Sequence, residues 1–556
     1  VLTVAVSGLV AAVVGMTTAA ADASLGPHTA RYEVSVDHAV TVDLGPLGSL
    51  VLDSPMPWPL GVEVVVGEIP ADLASVGTSP GLALSGDLEG YLQFFTAPGV
   101  AVRSAALDLA ADALGRTVLA WSLLLVLAAA ARMASPRLLR EDARRILERP
   151  GVGLLVGAVV LGVAAVPVLA AGARGNTEGR TSPVLAGTPL AGARIVGRLG
   201  DFVDTYGARA VAAVEENEEF YARATASLAA AYAADPEPLA PRVPATLGPA
   251  QDVAGVPAGG AGAPAAGGEG ATDGATGGAS PAPSAAPTGG PEDLVTVLVV
   301  SDLHCNVGMA ALVGDAVRLA GARAVLNAGD TVIAGTSVER FCVDALARAV
   351  PGGVPVVVAD GNHDSATTSE QERAAGFIVL GGEPVVVEGV RILGDVEPTL
   401  TTVPDGTRLK GEETRDELAA RLAGRACEAL EADEPVDVLL VHNPRAGGAA
   451  MATGCVPLQL SGHLHRQIGP VPAGLGLLHV IPSTGGATAG RQTIGPLNAP
   501  GVLTVVRLDP IAHRPVDHRL VTVGTDASAT LGPWLPYPEP AAEVTEVDLG
   551  ADVPGY

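Results

Sequence analysis

From residue 294 onward, short hydrophobic runs alternate with longer mixed stretches. The run LVTVLVV at 294–300 has the length and β-branched content of a buried strand. Runs at 323–327, 354–359, 385–387, 390–393, 436–441, 458–461, 475–481 and 502–507 read as further strands. Between them, 309–320, 338–349, 369–379 and 415–430 read as helices. Strands and helices alternating in this way predict an α/β domain over 294–510, with two packed sheets and helices outside. The Pro-punctuated remainder, 511–556, reads as an irregular extension packed on that domain.

The N-terminal half has a different pattern. Residues 1–21, 116–134 and 151–173 are apolar over lengths near the roughly 20 residues that a bilayer span requires. Each also fits a buried Ala-rich helix. Between the second and third, the loop 135–150 holds Arg137, Arg140, Arg144, Arg145 and Arg149. Short Arg-rich loops stay cytoplasmic. Three transmembrane helices with this loop inside give a multi-pass cell-membrane protein. Residues 22–115 and the whole C-terminal domain are then extracytoplasmic. Two spans, or a cleaved first segment followed by two spans, are the alternatives, although that first segment lacks a basic start. Residues 22–115 alternate as a small β-rich unit, and 174–245 read as mixed strand and helix, the helix at 208–234. Residues 246–293 hold almost no large apolar side chains and read as a flexible linker.

A chain of 556 residues exceeds one ordinary core. Its net charge of -27, with Lys410 the one lysine, argues against nucleic-acid binding. The cysteines, Cys305, Cys342, Cys427 and Cys455, form no C-x-x-C pair. One or two disulfides and buried free thiols both remain open.

The polar residues that carry chemistry sit just after the hydrophobic runs. They are Asp302 and His304, Asp330, the run Gly361-Asn362-His363-Asp364, His442, and His463 and His465 around Leu464. In an α/β domain these positions fall at the carboxyl ends of strands, where such folds place their sites. Carboxylate, imidazole and amide groups in this number suit two divalent ions held side by side, with Asp330 able to bridge them. Asn306, Arg445 and Arg466, close to these motifs, are candidate substrate contacts. Guanidinium groups suit bidentate contact with phosphate.

The ordered set closely resembles the calcineurin-like metallophosphoesterases over about 294–508. The resemblance implies a four-layer fold, a β-sandwich of two mixed sheets flanked by helices. It implies that Asp302, His304, Asp330 and His465 hold a first metal, and that Asp330, Asn362, His442 and His463 hold a second. It implies that His363 contacts the phosphate or protonates the leaving oxygen, with Asp364 orienting its imidazole. The metals could be Mn, Fe, Zn, Ni or Mg. The purple acid phosphatase branch has a tyrosine where this chain has Ile333, which argues against a tyrosinate–iron site.

The reading is a membrane-tethered hydrolase of phosphate monoesters or diesters that uses a metal-activated water. Its partners would be a bilayer and a phosphorylated small-molecule, lipid or cell-envelope substrate. The alternative is a membrane-anchored binding or assembly protein whose phosphoesterase domain recognises a phosphorylated ligand.

Overall fold

The structure is a computed structural model. It describes residues 2–25, 28–45, 48–67, 98–134, 179–235 except 187, 189 and 198, 294–402, and 406–550 except 489–492 and 494. The Arg-rich loop 135–150, the third predicted span and the predicted linker 246–293 lie outside the described residues.

The first helix, α1 (Leu2–Thr17), is followed by β1 (Ala20–Leu25), β2 (His28–Ser35), β3 (Ala39–Asp43), β4 (Ser49–Asp53) and β5 (Gly61–Val66). A long helix, α2 (Pro98–Ala134), precedes β6 (Arg180–Thr181), β7 (Arg194–Val196) and α3 (Leu199–Ala233). The strands form one sheet in the order β1-β2-β5-β3-β4-β7-β6. The β-rich unit therefore extends past the predicted limit of 115 and recruits strands from beyond the long helix.

This region corrects the membrane topology. Among the described residues, one helix segment, Ala105–Ala134, is long and apolar enough to cross a membrane by length and composition. The predicted first span ends early. α1 has 16 residues, and the chain passes at Ala20 into a sheet strand. Part of α1 is covered by α2 rather than presented outward: Ser7 Oγ accepts from Trp121 Nε1 at 3.2 Å. A Cβ on Gly15 would lie 2.6 Å from the Thr117 backbone nitrogen, so the helices approach closely there. The multi-pass region, the fold of several transmembrane helices ahead of the C-terminal domain, and the extracytoplasmic placement derived from them do not stand.

The C-terminal region is built as expected of a sandwich. Its first sheet contains β8 (Val295–Val300), β9 (Ala324–Asn327), β10 (Val356–Val358) and β11 (Ile378–Val379) in parallel register. The second contains β12 (Val385–Val387), β13 (Val390–Gly394), β16 (Val438–Leu440), β17 (Leu458–Ser461), β18 (Ile468–Ala473) and β19 (Gly476–Val480). A separate hairpin, β14 (Thr399–Thr402) and β15 (Gly406–Leu409), lies between β13 and β16 in the chain. Period-two alternation places Val295, Val297 and Val299 in the core between the sheets, with Val438, Leu440, Leu458 and Leu460. Leu298 and Val300 face the other way, into the core with α4 (Val307–Ala320) and α5 (Arg340–Ala349). The helices α6 (Ala366–Ala374), α7 (Arg415–Glu431) and α8 (Gly448–Thr453) complete the flanks.

Two boundaries differ from expectation. The predicted 369–379 helix ends at Ala374, and Ile378 begins a strand. The 511–556 extension is not irregular throughout. β20 (Gly501–Asp509) pairs along its length with β21 (Arg514–Val523), followed by β22 (Ala529–Leu531) and β23 (Leu535–Pro536) in the same sheet. The polar face of β21 obscured it. Asp517 is 6 % exposed because Arg507 Nε donates to it at 2.6 Å, a pairing invisible in local hydrophobicity.

The structure also pairs all four cysteines, Cys305 with Cys342 and Cys427 with Cys455. The first pair ties the loop after β8 to α5. The second ties α7 to the segment before β17.

The helix α3 belongs to the core of the C-terminal domain although it precedes the predicted linker. Phe220, Ala224 and Leu228 are at most 3 % exposed and share a core with Met309, Leu312 and Val313. Asp235, just after α3, accepts from Arg519 at 2.6 Å, and Ser227 Oγ accepts the Ala529 N–H at 2.7 Å. Burying a Phe or Leu side chain contributes about 1.5–3 kcal/mol. A fragment beginning at 294 should therefore be about 3–6 kcal/mol less stable than one beginning at 199. Their urea midpoints check this, and equal midpoints would remove α3 from the folding unit.

Candidate metal centre

The parallel strands of both sheets deliver the site. Asp302 and His304 leave β8, Asp330 follows β9, and Asn362, His363 and Asp364 follow β10. From the second sheet, His442 follows β16, and His463 and His465 follow β17. All of these except His465 are buried to 6 % exposure or less.

The turns that carry them are strained. Asp302, His304, Asp330, His463 and His465 all have φ between 42° and 69°. Non-glycine residues there cost on the order of 1–3 kcal/mol each and persist where surroundings over-determine them. Two glycines make the close approach possible. A Cβ on Gly361 would lie 2.1 Å from Asp330 Oδ1, and one on Gly462 would lie 1.8 Å from Ser301 Oγ.

Each aspartate uses one oxygen for the backbone and turns the other inward. Asp302 Oδ2 accepts the His463 N–H at 3.1 Å, while Oδ1 lies 3.2 Å from His465 Nε2 and 3.9 Å from His304 Nε2. Asp330 Oδ1 accepts the His363 N–H at 2.9 Å. Its Oδ2 lies 3.1 Å from His442 Nε2 and 3.8 Å from His304 Nε2. Three groups thus gather potential ligand atoms within 4.8 Å of one another: Asp302, His304 and His465; His304, Asp330 and His363; and Asp330, His442 and His463. His304 and Asp330 each occur in two of the groups.

The donor set fits cations on its own chemistry. His442 Nδ1 lies 2.6 Å from the Ala328 carbonyl, which can only accept, so Nδ1 carries a proton. Its Nε2 then faces Asp330 Oδ2 and, at 3.1 Å, Asn362 Oδ1. A neutral ring there sets three acceptors against one another. Asp330 favours a second proton on the ring: burial pulls its pKa down, Asp330 outweighs burial, and the pKa rises to about 10. A divalent ion can take the place of that proton. At His304 burial outweighs the opposing Asp330 and, with His363 and His465 acting in the same direction, lowers the pKa to about 3. Burial raises Asp302, but His465 and His442 outweigh it and hold the carboxyl at about 2.

Surrounding groups orient these. His363 Nδ1 lies 2.5 Å from the Ile333 carbonyl, so the residue that replaces the tyrosine fixes this ring through its backbone. Glu339 in turn accepts the N–H groups of Ile333, Ala334 and Thr336 and holds that loop. Asp364 was expected to orient the His363 imidazole. Its oxygens instead accept the N–H groups of Asp330 and Gly361, each at 2.8 Å, and of Val332 at 3.2 Å, joining two ligand turns. Burial, Asp360 and Asp330 raise its pKa to about 7.

The expected substrate contacts are placed elsewhere. Asn306 is 6 % exposed and caps α4, accepting the Met309 N–H at 3.1 Å and donating to the Gly485 carbonyl at 3.0 Å. Arg445 donates to the Gly550 carbonyl at 2.5 Å, and Arg466 to the Leu549 carbonyl at 2.8 Å. Both arginines hold the C-terminal segment, which sequence spacing cannot anticipate. Other residues went unnoticed. Ser483 Oγ donates to the Asp302 carbonyl at 2.8 Å, and Lys410 Nζ to the Gly361 carbonyl at 2.8 Å. The isolation of Lys410 as the chain's one lysine was the available signal for it.

Residues 295–467 match the family model for calcineurin-like phosphoesterases. The chain carries a calcineurin-like metallophosphoesterase domain, and with its clustered aspartates and histidines it is a metal-dependent phosphoric ester hydrolase with a two-metal site. No curated protein matches the chain. Among solved structures, an archaeal phosphodiesterase is 11 % identical, with 41 % of this chain and 99 % of that one covered at a TM-score of 0.25. A Thermus thermophilus sulfate thiohydrolase is 15 % identical, covering 42 % and 57 % at 0.27. A Danio rerio dimetal phosphatase is 11 % identical, covering 44 % and 99 % at 0.29. At these TM-scores the likenesses carry no argument, and the assignment rests on the family match and the site.

Proposed function

We propose that Asp302, His304, Asp330 and His465 hold one ion, that Asp330, Asn362, His442 and His463 hold the other, and that His363 serves the substrate. The observation that supports this most is the division of labour in Asp330. A backbone amide holds Oδ1, and Oδ2 faces His304 on one side and His442 on the other. Ions bound there supply Lewis-acid charge for the phosphate oxygens and an activated water. The chain's own residues do the rest. Ala328 fixes the His442 tautomer, and Ile333 fixes the orientation of the His363 ring through Nδ1. With Nδ1 protonated, Nε2 of the imidazolium can give its proton to the leaving oxygen. Asp364 keeps the Asp330 and Gly361 turns in register.

The substrate is a phosphate ester. A lipid or cell-envelope ester is the finer reading, supported by the exposed apolar side chains Leu119, Leu123, Val126 and Leu127 on α2, which favour a lipid bilayer as a partner. Nothing in the site favours the binding-protein alternative.

The test is hydrolysis of p-nitrophenyl phosphate and bis-p-nitrophenyl phosphate by the full chain, with Mn, Zn, Fe, Ni or Mg added after chelation. Turnover that vanishes with chelator and returns with metal is expected, and the two rates rank monoesters against diesters. Equal rates with and without metal would refute the proposal.

A further inference from the structure

The loop that carries Asp302 and His304 ends at Asn306, and Asn306 is held from outside the family-matched region. Tyr221, on α3, donates its hydroxyl to Asn306 Oδ1 at 2.9 Å, and the Gly495 carbonyl lies 3.1 Å from the Tyr221 hydroxyl oxygen. The ring lies against α4 so closely that a Cβ on Gly308 would stand 2.3 Å from Cε2. Both residues are buried, Tyr221 at 9 % and Asn306 at 6 % exposure.

Asn306 is a junction. Its side chain caps α4 through Met309 and reaches the Gly485 carbonyl, and its N–H donates to Leu303 O at 2.9 Å. Gly485 N–H in turn donates to the Asp302 carbonyl at 3.1 Å. The segment between is the strained one, with φ of 54° at Asp302, 42° at His304 and 60° at Cys305. Turns of this kind relax unless their surroundings hold them. Tyr221 therefore closes a path from the N-terminal half to two candidate ligands.

We infer that Tyr221 is a positioning residue for the metal centre: through Asn306, its hydroxyl fixes the Asp302–His304 turn in ligand geometry. The inference rests on the two-metal reading above. It makes α3 a working part of the site as well as a packing element, although α3 lies outside the matched residues 295–467. The hydroxyl gives geometry and α3 gives packing, so the two contributions separate by substitution.

Tyr221→Phe in the full chain removes the oxygen and keeps the ring. Zinc affinity is read by competition with a fluorescent chelator, without reference to turnover. We expect about tenfold weaker zinc binding, the low end of what outer-shell changes produce. Excess metal should restore kcat, and KM should stay within about twofold. Leu228→Ala, on the same helix, should lower the Tm and leave zinc affinity unchanged. In an Asn306→Ala background, Y221F should add less than about twofold, as expected of residues acting through one another. Wild-type zinc affinity in Y221F overturns the inference, as does an equal loss in L228A or a full tenfold loss on top of N306A. An inactive wild-type chain that still binds zinc would instead overturn the hydrolase reading, and the zinc readout keeps the two failures apart.

Discussion

Replacing Asp330 with Asn should abolish metal-dependent hydrolysis in a chain that remains folded. The substitution keeps the size of the side chain and its hydrogen bond from the His363 amide, which the amide oxygen can accept. It removes the negative charge that faces both His304 and His442. A carboxylate between two cations lowers their mutual repulsion, which an amide cannot do. Lewis-acid stabilisation by bound metal is worth several kcal/mol. Losing it corresponds to roughly a thousandfold or more in kcat/KM. Metal analysis after desalting should show lower metal content in D330N than in the wild-type chain. Full metal content with full activity would show that Asp330 bridges nothing.

The second large effect is expected at His363, and it separates binding from chemistry. His363→Ala should retain metal and lose about 10²–10⁴ in kcat on an unactivated alkyl phosphate, the usual worth of a general acid. Loss on p-nitrophenyl phosphate should be much smaller, because p-nitrophenolate leaves without a proton. The contrast between the two substrates is the measurement. Ile333 supports this role: its carbonyl holds Nδ1, which keeps the ring from turning away. His363 also lies in one of the three ligand-sized groups, with His304 and Asp330. If H363A loses metal along with activity on both substrates, His363 is a ligand and the acid role fails.

Much of the site was legible because its ligands are local punctuation. A run such as 294–300 buries itself as a strand, and the polar residues that follow it must emerge at the strand's end. Asp302, His304, Asp330, Asn362, His442, His463 and His465 were singled out that way, and the fold brings Asp302, His304, Asp330, His442, His463 and His465 into ligand-sized groups. The orienting contacts were not legible. Ala328 and Ile333 act through carbonyl oxygens, which every residue has, and Asp364 through four backbone amides. Asn306, Arg445 and Arg466 were misplaced for a related reason. Adjacency in sequence set them beside the ligands, while the fold turned Asn306 to Tyr221 and the arginines to the C-terminal carbonyls.

The same division holds across the chain. Hydrophobic period and turn residues by themselves pointed to two packed sheets with helices outside and to the order of the candidate motifs, because each depends on neighbours a few residues apart. Hydrophobicity alone did not decide where the apolar N-terminal segments end: α1 stops at Thr17 because the chain enters a sheet strand at Ala20, a pairing set by distant residues. Tertiary structure alone decided that β21 completes the first sheet, that the cysteines pair, and that α3 packs on the phosphoesterase core. These depend on long-range pairings, Arg507 with Asp517 and Tyr221 with Asn306, whose energies no local window of sequence contains.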